Sequence, residues 1–131
     1  METKHLHGEG KKILLVEPDQ RLAKKFYFLF RKEGFVTIST DRAAEAIRKI
    51  QKEHFSVFIL DVGVKDMAWE EVIPIIKGIS PHLPIIMTSN QNTPELEARI
   101  LRHKAFYYHV KSFGTEELLL AVRNAIDKTQ G

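Results

Sequence analysis

The chain has 131 residues, 44% of them hydrophobic and 28% charged, which suits one globular domain with a core of ordinary size. It contains no cysteine, which excludes disulfides, thiolate catalysis and cysteine-based metal sites. The net charge of +3 is scattered over many lysines and arginines, and no apolar run nears the roughly 20 residues of a membrane span. A soluble, cytoplasmic protein is therefore expected, with no membrane contact. Basic pairs at Lys11–Lys12, Lys24–Lys25 and Arg31–Lys32, and the stretch from Arg99 to Lys104, come without helix-turn-helix or zinc-finger spacing. They read as solvated surface, and direct nucleic-acid binding is not expected.

Strand-like and helix-like periods alternate along the chain. Ile13–Val16 is a short continuous apolar run, the pattern of a parallel strand covered on both faces. Leu22, Phe26, Leu29 and Phe30 then recur at helical spacing, with Gly34 as a C-terminal stop. Val36 and Ile38 alternate with Thr37 and Ser39, which predicts a half-exposed edge strand. A second helix should turn Ala43, Ala44, Ile47 and Ile50 inward, and Val57–Leu60 is a third, buried strand. Val72, Ile73, Ile75 and Ile76 predict a short helix that Pro74 should distort unless it falls in the first turn. Ile85–Thr88 forms a fourth strand after Pro84. Thr93 and Pro94 read as N-cap and first position of a helix reaching about His103. Phe106–Val110 is a fifth strand and Glu116–Lys128 the last helix, with Phe113 and Leu118 as a candidate staple around Gly114. Five strands alternating with five helices predict a single α/β domain over residues 11–128. Loose ends are expected at residues 1–10 and 129–131.

Polar residues follow four of the apolar strands: Glu17 the first, Asp61 the third, Ser89 the fourth and Lys111 the fifth. In an open parallel sheet all of them fall at the carboxyl edge, where ligands bind near the topological switch point. One polar residue after a strand is merely the start of a loop; the coincidence of all of them suggests a site. A carboxylate such as Asp61 can attack phosphorus and form an acyl phosphate. Lys111 supplies a point charge for the transferred group, and Ser89 a hydroxyl donor.

The segments ILLVEPD, FSVFILDVGVKDM, LPIIMTSN and FYYHVKSF resemble, in order and spacing, the signature segments of response-regulator receiver domains of two-component signalling. The resemblance runs from about Lys12 to Ile126. It implies a flavodoxin-like (βα)5 doubly wound sheet of strand order 2-1-3-4-5, with Asp61 as phosphoacceptor. It implies Ser89 and Lys111 as the residues that assist transfer, and Tyr108 as an aromatic switch. It also implies a Mg2+ site built from Glu17, Asp19, Asp61 and the backbone carbonyl of Gly63. The implied partners are a sensor histidine kinase or histidine phosphotransfer protein and a downstream protein meeting the face of helix 4, strand 5 and helix 5. Arg99, Arg102 and His109 belong to that face, and a homodimer is a further expectation. Such a domain is a regulatory phosphoacceptor rather than an enzyme.

The departures from the family pattern bear on the metal. Two adjacent acids usually follow the first strand; here the pair reads Glu17-Pro18, and the next acid is Asp19. Ser112 stands where a proline usually follows the lysine, Val64-Lys65 and Ala68-Trp69 replace turn-forming pairs, and Asn90 replaces a small residue beside the cleft. Two readings stay open: phosphorylation over a weaker magnesium site, or a degenerate receiver acting by protein contact alone. The chain ends soon after the last helix, which fits a stand-alone receiver or a piece of a longer regulator.

Other signals carry less. Gly8, Gly10 and Lys11 precede a strand instead of following one and lack the spacing of a phosphate loop. His5 and His7 could chelate together but have no further ligands nearby, and His54, His82, His103 and His109 are scattered. Trp69 fits a partner anchor, a lid beside Asp61, or simple loop packing. A flavodoxin-like enzyme is disfavoured by the lack of a nucleophile elbow and of a glycine-rich loop after the first strand.

Overall fold

The computed structural model describes residues 10–130, with side chains through Lys128, so the expectations for His5, His7 and the extreme ends lie outside it. Five strands, β1 (Lys12–Val16), β2 (Val36–Thr40), β3 (Val57–Asp61), β4 (Ile85–Ser89) and β5 (Tyr107–Val110), form one parallel sheet of order β2-β1-β3-β4-β5. They alternate with α1 (Gln20–Lys32), α2 (Ala43–Lys52), α3 (Trp69–Ile79), α4 (Pro94–Arg102) and α5 (Thr115–Gln130). No helix among the described residues is long and apolar enough to cross a membrane.

The two-residue alternation of the strands divides the core. Ile13, Leu15, Val57, Ile59 and Ile86 point to one face, where Phe26 and Phe30 of α1 and Leu118, Val122 and Ile126 of α5 cover them. Leu14, Val16, Phe58, Leu60, Ile85 and Met87 point to the other, beneath α2, α3 and α4. The interior strands are therefore apolar on both sides and appear in the sequence as unbroken runs. β2 lies at the edge, and its Val36 is half exposed.

Local chemistry sets the helix boundaries. Asp19 caps α1, its Oδ1 accepting from the amides of Arg21 and Leu22 at 2.9 and 3.2 Å. At the other end Gly34, at φ +88°, donates to Arg31 and Phe35 donates to Phe30, closing a Schellman turn under the edge-to-face contact of Phe30 with Phe35. Thr93 caps α4 through the amide of Leu96, with Pro94 at the first position as expected.

Four expectations need correction. α3 runs through Pro74 well past its first turn, held by the burial of Trp69, Val72, Ile73 and Ile76 on one side. α2 buries Ala43, Ala46 and Ile50, with Ala44 only partly covered, because the buried stripe follows the i, i+3, i+7 row. Phe113 is 56% exposed while Leu118 is fully buried, so Phe113 does not enter the core at the start of α5. His109, assigned to the outer face, is 1% exposed. Its parity on β5 is opposite to that of Tyr108, which packs against the α2–α4 core.

Candidate functional site

The site lies at the carboxyl edge where the sheet order reverses between β1 and β3. Asp61 ends β3 and is 5% exposed; Glu17 follows β1 and is 2% exposed. Lys111 enters from the end of β5, and its Nζ lies 2.8 Å from Asp61 Oδ1 and 3.0 Å from Glu17 Oε1. One ammonium thus bridges two buried carboxylates. Burial, followed by repulsion from Asp61, raises the Glu17 pKa above its ordinary value, against the lowering effects of the Asp19 amide and Lys111. Burial pulls the Lys111 pKa down, but Asp61 and Glu17 outweigh it and the net shift is upward.

Both oxygens of Asp61 are engaged. Oδ1 also accepts a 2.7 Å bond from the hydroxyl of Thr88, and Oδ2 accepts 2.9 Å from the amide of Gly63. A Cβ on residue 63 would stand 2.9 Å from Oδ2, closer than real Cβ atoms come, so a larger residue there requires the carboxylate or the loop to shift. The same loop reaches sideways. Asp66 accepts from the amides of Ala43 (2.8 Å) and Ala44 (3.0 Å), capping α2 from more than twenty residues away.

Thr88 was not among the expected site residues. Asp61 shares the side of Val57 and Ile59, and on β4 the residue of matching parity is Thr88, beyond Ile86, and not Ser89. Carrying the alternation through the strand ends would have indicated it. Ser89 is fully buried and turns its Oγ to accept 2.8 Å from the amide of Gln91. The carbonyl of Gln91 in turn accepts from the hydroxyl of Tyr108. Ser89, Gln91 and Tyr108 therefore form a hydrogen-bonded chain from β4 to β5.

Asp61 and Ser89 meet in an open cleft of about 340 Å³, walled also by Val62, Gly63, Trp69, Asn90, Leu96 and Arg99. Trp69 is 6% exposed, so it is a wall of the cleft and not an exposed anchor. Arg99 lies 5.4 Å over its ring, and His103 meets the ring edge-on at 5.2 Å. Across the mouth Arg99 pairs with Glu70 at 2.5 and 3.3 Å, holding the Glu70 carboxyl below its usual range.

The donors near Asp61 are oxygens, the chemistry of a hard cation such as magnesium, which needs only one or two protein carboxylates when phosphate and water complete its shell. Glu17 and Asp61 meet that requirement. Asp19 is placed differently: its amide donates 3.0 Å to Glu17 Oε2 while its own Oδ1 caps α1. No cluster of three or more acids or histidines suited to a metal occurs among the described residues.

An acidic pocket at the carboxyl edge of a five-stranded parallel sheet of this order, bridged by a lysine just past the last strand, defines a class of flavodoxin-like α/β domain. Residues 13–123 match the family model described as "Response regulator receiver domain", and the chain belongs to that family, a regulatory family of two-component signalling. It is 29% identical over 121 residues to the response regulator protein FleR of Pseudomonas aeruginosa, covering 92% of this chain but 26% of FleR, so it spans about a quarter of that relative's length. Among solved structures, a CheY-like receiver domain from Methanospirillum hungatei superposes with a TM-score of 0.84 at 23% identity, over 92% of this chain and 96% of that one. The response regulator TrrA of Thermotoga maritima, in complex with Mg(2+)-BeF, gives 0.79 at 23% identity, over 88% and 98%.

Proposed function

We propose that this receiver domain accepts a phosphoryl group on Asp61 from a phosphohistidine of a sensor kinase or histidine phosphotransfer protein, and then signals by protein contact. The observation that carries the reading is the Lys111 ammonium shared by Asp61 Oδ1 and Glu17 Oε1 behind an open cleft. An Asp61 oxygen attacks phosphorus, a new O–P bond forms, and the donor's N–P bond breaks, its electron pair leaving with the imidazole. Lys111 and the Ser89 hydroxyl of the cleft then face the charge on the transferred group.

Glu17 and Asp61 would hold Mg2+ with the Gly63 carbonyl, and Asp19 would contribute from the start of α1. Bound there, the ion neutralises phosphoryl charge. Pro18 in place of an acid makes that site weaker than one with a third carboxylate beside it. Phosphoryl binding would draw Ser89 away from Gln91, breaking the chain that holds Tyr108 and freeing its ring to change rotamer.

The downstream protein would meet α4, β5 and α5, where Leu101, Tyr107, Phe113 and Leu120 stand exposed beside Arg102. A second copy of the chain could use the same face. The cytoplasm, where kinase partners present their phosphohistidines, is the compartment this reading implies.

Acetyl phosphate with magnesium tests it directly. Mass spectrometry should find one phosphoryl group on the wild type and none on Asp61→Asn. An unlabelled wild type would instead leave a degenerate receiver that works by contact alone.

A further inference from the structure

We propose that Arg99 is a second phosphoryl clamp of this cleft, exchanging its carboxylate partner Glu70 for the phosphoryl oxygens once Asp61 is modified. The inference rests on the phosphoacceptor reading of Asp61.

Arg99 and Leu96 lie one helical turn apart on α4, and both line the cleft that Asp61 and Ser89 share. Lys111 is absent from that lining, and its side chain is only 5% exposed. Arg99 is thus the cation on the open side, where a phosphoryl group must enter and where its outer oxygens will lie. The indole of Trp69, buried as the cleft wall, supports the guanidinium from beneath.

Its present partner is weak enough to surrender it. The Arg99–Glu70 pair is 43% and 37% exposed, the kind of ion pair that water screens and that adds little net stability. A phosphoryl group offers the same forked oxygens at higher charge, and an arginine binds them with two parallel N–H bonds.

Charge balance creates the demand. Glu17, Asp61 and Lys111 sum to one negative charge before transfer. After transfer Asp61 no longer carries its own charge, the phosphoryl group carries about two negative charges, and the sum becomes about −2. With Pro18 where a metal-binding acid would stand, a resident arginine supplies positive charge independent of the ion. The step it assists remains that of transfer: the O–P bond to Asp61 forms, and the donor's bond to phosphorus breaks with its electron pair on the leaving group. Arg99 neither gains nor loses a proton.

Glu70 makes the proposal separable from a structural role. Arg99→Ala and Glu70→Gln cut the same surface pair, so a latch that merely holds α3 to α4 predicts that both variants change labelling alike. A clamp predicts a loss in Arg99→Ala and none in Glu70→Gln. Labelling rates with acetyl phosphate should be measured across a magnesium series for the wild type, Arg99→Ala, Arg99→Lys and Glu70→Gln, with circular dichroism to confirm folding. The expected result is a rate about tenfold lower in Arg99→Ala, the size of one charged hydrogen-bonding contact. Arg99→Lys should fall between, and Glu70→Gln should match or exceed the wild type. The deficit of Arg99→Ala should be greatest at low magnesium. A wild type that takes no label removes the phosphoacceptor reading and this inference with it. A labelled wild type with an equal Arg99→Ala, or equal losses in Arg99→Ala and Glu70→Gln, overturns the clamp alone.

Discussion

At the scale of single residues, the strongest dependence is that of two buried carboxylates on one lysine. Glu17 and Asp61 are 2% and 5% exposed, and Lys111 is the cation both contact. Lys111→Met should therefore destabilise the fold by about 3–5 kcal/mol near neutral pH, the usual cost of leaving buried charge unpaired. The effect has a definite pH sign. The folded Glu17 pKa already lies above 4.5, and loss of Lys111 pushes it higher, so acidification protonates Glu17 and relieves the repulsion. Urea titrations should show the deficit of the variant shrinking as pH falls; a constant deficit would contradict the shared-lysine account. Thr88→Val keeps the shape but removes the donor to Asp61 Oδ1, and should cost about 1 kcal/mol in the same titration. Gly63→Ala brings a Cβ to 2.9 Å from Oδ2 and should slow phosphoryl labelling of Asp61 by shifting that loop.

At the scale of elements, the β3–α3 loop connects the site to α2. Arg42, at the N-cap position of α2, makes no side-chain cap, and Asp66 supplies one from across the fold. The paired amides hold the Asp66 carboxyl below its ordinary range despite the opposing effect of burial. Asp66→Ala should lower stability by about 1 kcal/mol, read as a fall in melting temperature, and hydrogen exchange should quicken at the amides of Ala43 and Ala44. Such a cap could not be read from the sequence, because capping rules look a few residues along the chain and this acceptor is distant. The strands were legible for the opposite reason: burial on both faces leaves uninterrupted apolar runs at Ile13–Val16 and Val57–Leu60. Glu17, Asp61, Ser89 and Lys111 were legible as polar residues directly after the expected strands. Their orientation was not, since the step from Thr88 to Ser89 reverses which side chain meets Asp61. Arg99 was visible only as part of a basic stretch, because its place in the cleft depends on how α4 packs beside Trp69.

At the scale of the whole molecule, these parts combine in a pH profile. His109 is 1% exposed, and neither ring nitrogen has a hydrogen-bond partner. Burial lowers its pKa from 6.5 and Lys111 adds to the shift, while Glu117 on α5 opposes both. A depressed histidine contributes stability that is present above 6.5 and is lost as pH falls toward the folded value, because the unfolded chain binds the proton first. Glu17 acts in the other direction: its raised pKa gives stability that is present below 4.5 and lost as pH rises through the folded value. Lys111, also raised, holds its contribution below 10.5 and loses it only in strong alkali. In mildly acid solution the histidine and the glutamate therefore oppose each other. Replacing His109 with phenylalanine should remove the acid-side fall that begins near 6.5 and leave the rising trend due to Glu17. Glu17→Gln should do the reverse and steepen the net fall. Melting temperatures measured across that range for the wild type and both variants decide the matter through their slopes, whatever offset the altered packing adds. Parallel slopes for His109→Phe and the wild type would mean that the buried imidazole is not what links this fold to pH.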